Sequence, residues 1–280
     1  MEYMKKAFSL VSKNITVILP VLLAAFVPAL IMSFMVGTTG AQIAPQIMEI
    51  VNNPEIAQDP TQLINTFAGA LGKTMSGAII IGLVALILNI LAQPATIGMI
   101  VKAGKKEEVG ANDILPQAKE HIVRFIIFIV VFFLLAAAFS IVVILLGLVF
   151  GAISAAIESA LLSVLYAIAV VIATIYLSIK LSLWFVAMVA DKLSVIEGLK
   201  QSFRATSGSF WTIIGILILL AIIFGIAGFI IGFLGWIPVI GPLLTSTVSA
   251  AGGAVMSAFL AVLYLEKTGK KEEVPAEQPE

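Results

Sequence analysis

Sixty-six consecutive residues, numbers 125–190, carry only two charged side chains, Glu158 and Lys180. A helix that crosses a bilayer needs roughly 20 apolar residues for a hydrocarbon core about 30 Å thick. This run is long enough for two such helices and a turn, and no water-soluble fold requires it. The chain belongs in a membrane.

Composition supports that reading throughout. Only 11% of the 280 residues are charged, against about 25% in soluble domains. The formal net charge is zero, which removes any argument for nucleic acid as a partner. Cysteine is absent, excluding disulfides, thiolate chemistry and Cys-ligated zinc. One histidine, His121, leaves no room for a His-rich metal site. No metal or cofactor is expected.

Six apolar runs stand out, over residues 15–36, 76–101, 125–150, 161–189, 210–234 and 239–265. Each must satisfy its own backbone polar groups in hydrocarbon, so each reads as a helix. None alternates as barrel strands would. The fold class is therefore all-α: one six-span membrane bundle over residues 1–266, followed by a polar tail, 267–280.

Lys and Arg set the orientation. Fourteen of the sixteen basic residues fall before span 1, between spans 2 and 3, between spans 4 and 5, or after span 6. Lys73 and Lys180 are the exceptions. Both termini are expected in the cytoplasm of a prokaryotic cell, with the protein in the cell membrane. A secretory signal peptide competes for the N-terminus, with Lys5 and Lys6 as its basic region and Thr39-Gly40-Ala41 as a cleavage site. The apolar run is longer than the 7–15 residues of a signal core, which favours a retained first span.

Each odd-numbered span follows a segment with helical sidedness. Met4, Phe8 and Val11 share one face in the first, Leu115, Ala118, Ile122 and Phe125 in the second, and Ile196, Leu199 and Phe203 in the third. Spacings of i, i+3, i+4 and i+7 mark one helix face. Ser194 and Glu197 have capping-box spacing, and Asp113 is placed to cap the second segment. The pattern predicts three parallel repeats of an interfacial helix plus a hairpin. Lys5, Lys6, Lys119, Arg124, Lys200 and Arg204 on these segments are candidates for lipid headgroup contact. The competing reading is that any basic linker between spans looks this way.

The outer loop, 37–75, contains Asn53-Pro54 and Asp59-Pro60, each a capping residue before proline at the first helical position. A short helix is predicted over residues 61–72, covering the outer face of the bundle.

Lys180 is the one charge well inside a span, and such residues are functional candidates by default. Tyr176, Lys180 and Trp184 lie at i, i+4 and i+8, with Trp184 suited to an interfacial belt. Lys180 then either snorkels to the headgroups or contacts a ligand. Asn89 and Gln93, one turn apart before Pro94, fall at similar depth. These residues predict a polar intramembrane pocket of Asn89, Gln93, Tyr176 and Lys180; interhelical hydrogen bonding is the alternative. Gly147-x-x-x-Gly151, Gly228-x-x-x-Gly232 and Ser249-x-x-x-Gly253-x-x-x-Ser257 predict close helix contact, within the chain or with a second copy or partner membrane protein. Trp236 is expected at the interface in the outer turn between the last two spans. No paired carboxylate, zinc motif, phosphate-cradling loop or Ser–His pair is present, so no catalytic residue is assigned.

Tyr176 to Leu219 includes Lys180, Glu197, Ser202, Phe203, Arg204 and Trp211. The segment resembles the six-span membrane domain fused to some glycerophosphodiester phosphodiesterases, and its stand-alone relatives. The pattern is a span with a basic residue near its inner end, an amphipathic helix, and the next span. The tail after Leu265 is too short for a phosphodiesterase barrel, and the stand-alone form implies no activity. The expectation is a non-catalytic, lipid-interacting accessory module. A small permease or flippase for an amphiphile is the rival, and a membrane-embedded enzyme comes third.

Overall fold

The computed structural model describes residues 2–52, 60–234, 237 and 240–269, and every regular element among them is helical. In chain order these are α1 (Glu2–Lys13), a 3-10 turn (Ile15–Ile18), α2 (Leu19–Asn52), α3 (Pro60–Gly104), and a second 3-10 turn (Ala111–Asp113). They continue with α4 (Ile114–Ala156), α5 (Leu161–Leu181), α6 (Trp184–Ala190), α7 (Val195–Thr206), α8 (Phe210–Leu234) and α9 (Ile240–Lys267). Six segments are long and apolar enough to cross a membrane: Ile15–Met35, Ser76–Gly104, Ala111–Ala156, Leu161–Ala190, Phe210–Leu234 and Ile240–Lys267. The polytopic all-α bundle expected from the sequence is the observed architecture.

Three expectations about its parts need correction. First, the segment 37–75 is mostly helix rather than loop. The backbone stays helical to Asn52 and is helical again from Pro60. The stretch 61–72 is thus the opening of a 45-residue helix, not a separate short one. Pro60 does occupy the first helical position, while Asn53-Pro54 and Asp59 lie outside the described residues. At 1.5 Å per residue, the 34 residues of α2 span about 51 Å, well beyond one hydrocarbon core.

Second, the middle interfacial helix does not exist as a separate element. Residues 114–156 form one continuous helix. Asn14 interrupts the backbone after α1, and a turn through Gly208 (φ +78°) does so after α7. Nothing comparable stands between Arg124 and Phe125. Asp113 also fails to cap α4 with its side chain. Its carboxylate accepts from Lys102 Nζ (2.8 Å) and from the Gly110 N–H (2.9 Å) instead.

Third, Trp184 is not in an interfacial belt. The fourth span breaks at Ser182–Leu183, and α6 starts at Trp184 with the indole fully buried. Its Nε1 donates to the Val195 carbonyl (2.7 Å), and its ring meets Phe128 edge-on at 5.0 Å. Trp211 is 79% exposed instead. Trp236 lies outside the described residues.

Packing is concentrated at the end of the bundle that carries Lys and Arg. All seven residues of α6 are buried, with Ala7 and Val11 of α1, Met99–Val101 of α3, Ile213 and Ile216 of α8, and most of Val255–Leu265 in α9. Helix α9 is the central strut, touching α1, α2, α3 and α8. A smaller cluster joins Val21 and Ala24 to Ala92, Ala250 and Ala254. By contrast α5 buries only Ile179 and Lys180, and α8 buries nothing beyond Leu220. The far halves of α4, α5 and α8 expose Leu, Ile, Val and Phe along their length. Only lipid or another apolar surface complements them.

The glycine expectation also divides. Gly147 abuts the Tyr166 ring at 3.3 Å, and Gly252 lies 3.1 Å from the Phe224 ring by the same measure of an added Cβ. An added Cβ at Gly151, Gly228, Gly232 or Gly253 would meet nothing within 4 Å. Gly198 of α7 is closely packed at the basic end: a Cβ there would come within 2.5 Å of Met188 Cγ and 3.4 Å of the Trp184 carbonyl. Gly198→Val is expected to lower stability by about 2 kcal/mol through overpacking. Gly232→Ala should leave it unchanged or slightly higher, since alanine is the better helix former. Thermal melts of both variants in one detergent check the contrast.

Candidate functional site

Lys180 is 8% exposed, and its ammonium is turned toward α7. Nζ donates to Ser207 Oγ (3.1 Å) and to the Phe203 carbonyl (3.4 Å) at the C-terminus of that helix. The Tyr176 and Phe203 rings lie 5.7 and 5.9 Å from it. A cation suits this position because the last carbonyls of a helix carry partial negative charge, and both rings are within cation–π range.

The attachment is reciprocal. Ser202 Oγ donates to the Lys180 carbonyl at 2.6 Å, and Thr206 Oγ1 and Ser207 Oγ return to the Ser202 and Phe203 carbonyls. At the other end of α7 the expected capping box is present. Glu197 N–H donates to Ser194 Oγ (3.4 Å), and Ser194 N–H and Oγ donate to Glu197 Oε2 (3.1 and 2.7 Å). Those bonds, the hydroxyl first, hold the Glu197 carboxyl below its ordinary range. The lowered value means the box stabilises α7 above the ordinary carboxyl pKa, and this is lost as pH falls through the depressed one. The buried face of α7 is Gly198, Ser202, Ala205 and Thr206, not the apolar face read from the sequence. Ile196 is exposed, and Lys200 and Arg204 face outward.

The structure brings Tyr176 and Lys180 together but does not join Asn89 and Gln93 to them. Asn89 is exposed and donates from Nδ2 to its own helix, at the Ala85 carbonyl (2.8 Å). Gln93 is half-buried on α3. Arg124, grouped with the headgroup contacts, is also half-buried, and its Nη1 has no hydrogen-bond partner among the described residues. His121, one turn before it, is 3% exposed with Nδ1 likewise unpartnered. Gly98 admits this ring: a Cβ there would sit 3.0 Å from His121 Cδ2 and 2.3 Å from Gln117 Oε1. Lys119 is exposed.

Lys5 and Lys6 do line a cavity at the basic end. About 1120 Å³ opens between α1, the end of α3 and the end of α9. Lys5, Lys6, Lys13, Lys105 and Lys106 line it, opposed by Glu2, Glu107 and Glu266. Leu10, Ala103, Val262 and Leu265 supply an apolar wall. Lys6 Nζ bridges Glu2 and Glu266 (2.5 and 2.7 Å), tying α1 to α9. Those carboxylates, Glu2 first, raise its affinity for the proton. Lys105 Nζ donates to the Ala190 carbonyl at 3.3 Å. Sequence reasoning missed Lys13, Lys105 and Lys106 as members of one site. They lie about 90 residues apart on a helix end and a turn, and only the α1–α3–α9 contact joins them.

A family model described as a domain of unknown function (DUF7847) matches residues 55–266. No curated protein and no solved structure matches the chain.

Lys180→Met keeps the stem volume and removes both the cation and the cost of burying it. Global stability should change by less than about 1 kcal/mol, because loss of hydrogen bonds and relief of desolvation oppose each other. Amide exchange over residues 203–209 should accelerate about tenfold as the end of α7 loosens. Exchange mass spectrometry reads this directly; unchanged protection there would mean that Lys180 does not hold the helix.

Proposed function

Because the chain belongs to this family of unknown function, which brings no activity with it, we propose from its own geometry that it is a non-catalytic, lipid-interacting accessory module of the cell membrane. One observation carries the reading. Five polar side chains within the described parts of the spans turn back on their own helices instead of converging. Ser33 donates to Ala29 O, Asn89 to Ala85 O, Thr174 to Val170 O, Thr245 to Gly241 O and Thr247 to Leu243 O. This back-bonding satisfies each group one turn away. A permease needs polar groups from several helices facing a common path, usually near the midplane.

The basic end is placed in the cytoplasm by the positive-inside rule. There α1 and α7 serve as interfacial helices, with Lys5, Lys200 and Arg204 toward headgroups. The bare stretch of α8 around Gly225, Gly228 and Gly232 is where a second membrane helix would approach closely. The resemblance of residues 176–219 to the membrane domain of glycerophosphodiester phosphodiesterases fits a module that works beside lipid chemistry carried out elsewhere.

Two measurements test the proposal. Reconstituted protein should give no amphiphile movement above protein-free vesicles; flux dependent on Asn89 and Lys180 would establish the permease reading. The chain has no cysteine, so Lys105→Cys introduces a single thiol. It should resist an impermeant reagent applied to intact cells and react after permeabilisation; labelling from outside would reverse the orientation.

A further inference from the structure

We infer that the cavity between α1, α3 and α9 binds the phosphate-bearing headgroup of a lipid, with preference for a phosphomonoester. The inference rests on the lipid-interacting reading and adds the site and the chemistry. The cavity lining combines two chemistries that an amphiphile matches together: lysines, and the apolar Leu10, Val262 and Leu265. Its volume of about 1120 Å³ exceeds what an inorganic anion needs, lying just above the usual range of small-molecule pockets. It also sits where the apolar runs of α3 and α9 stop, at Gly104 and Lys267, which is headgroup level once those helices cross.

The charge points to phosphate. Among the described residues, five lysines against three glutamates leave the lining with two positive charges in excess. Lys6 is held by Glu2 and Glu266, and Lys105 by a carbonyl. Among the described residues Lys5, Lys13 and Lys106 have no ion-pair or hydrogen-bond partner. Three separate ammonium groups suit an anion whose oxygens point in several directions, whereas planar carboxylate recognition favours the arginine fork. No arginine among the described residues lines the cavity. A phosphomonoester carries close to two negative charges at pH 7, which equals the excess.

Lys106 supplies a separate argument. It has φ +62° in the turn that ends α3, a position where glycine is free of strain. Lys192 adopts the same left-handed conformation, and its ammonium pairs with Glu120 at 3.0 Å. The Lys106 ammonium has no such pair among the described residues, so the backbone favours glycine while the cavity favours the charge.

The test uses full-length protein in vesicles of phosphatidylcholine with equal minor fractions of phosphatidic acid and phosphatidylglycerol, followed by native mass spectrometry. Phosphatidic acid should be retained over phosphatidylglycerol. Lys5→Gln and Lys13→Gln should each weaken retention about fivefold, the usual worth of one surface lysine beside an anionic lipid. Lys106→Gly should weaken it equally while raising or preserving the melting temperature, an opposite movement that misfolding cannot produce. Glu107→Gln should strengthen it. Equal retention of the two lipids, or unchanged preference in the triple lysine-to-glutamine variant, overturns the inference. Displacement of the lipid by millimolar glycerol 3-phosphate would overturn the lipid source, assigning the site to a soluble phosphate ester. Flux in reconstituted vesicles with lipid selectivity intact would sink only the accessory reading; unselective retention without flux would sink only this one.

Discussion

Hydrocarbon offers no hydrogen-bond partner to a peptide group, and the distribution of backbone irregularity in this protein follows from that. Among the described residues most interruptions of the helices fall at the basic end: Asn14, the segment after Gly104, Ser182–Leu183, the segment after Ala190, and the turn before Phe210. Water and polar side chains can serve the freed groups there. The far turn between α4 and α5 is brief and largely closes on itself. Ile157 N–H donates to Ile153 O, Ser159 N–H to Ser154 O, and the Ser154 hydroxyl to the Ser159 carbonyl. The core follows the same division. Helices that cross the bilayer need little contact with one another to remain helical, so the residues that fix their arrangement gather where the chain can turn.

This is why the sequence shows the spans so well and their arrangement so poorly. An apolar run of more than 20 residues has one solution in lipid, and five of the six lie within three residues of their expected limits, while the third runs from Ala111 to Ala156 rather than 125–150. The capping box at Ser194–Glu197 was equally legible, because it is a local bond pattern. Trp184 was not. Its place depends on a break at Ser182 whose sequence, Leu-Ser-Leu, contains neither proline nor glycine. The long segment 37–75 looked like a loop because it holds Gly37, Gly40, Pro45 and charged residues, yet α2 runs through the first three. Hydropathy reports the solvent of a helix rather than its length. Small-residue motifs failed for a related reason. Gly228 and Gly232 permit close approach, but whether anything approaches depends on the neighbouring helix.

Lys180 shows how a buried charge can be misread from depth alone. A lysine in a span suggests transport or ligand binding. Here its ammonium meets a helix C-terminus, two aromatic faces and a hydroxyl, with no carboxylate paired to it among the described residues. The lysine needs α7 as much as α7 needs the lysine. Trp184 Nε1 holds the first turn of α7 through the Val195 carbonyl, and Ser202 holds its middle through the Lys180 carbonyl. The fourth span and α7 therefore form one unit, with Lys180 and Trp184 at the junction.

Helix α1 offers the useful contrast, being the same 12 residues long and also placed at the basic end. It buries Ala7 and Val11, with Phe8 exposed against expectation, and its long-range polar tie is Lys6 to Glu266. Exposed ion pairs contribute about 0–1 kcal/mol, and the side chains of Lys6 and Glu266 remain 38% and 17% accessible. Helix α7 is fixed by hydrogen bonds into a packed interior, so nothing can be inserted beneath it without breaking them. Helix α1 packs Ala7 and Val11 into the core with Tyr3, Met4 and Leu10 beside them, and its tie to α9 is a partly accessible ion pair at the edge of a cavity. If two elements of equal length flank the same membrane surface, the one tied by an accessible ion pair rather than by buried hydrogen bonds is the one whose position a headgroup can influence.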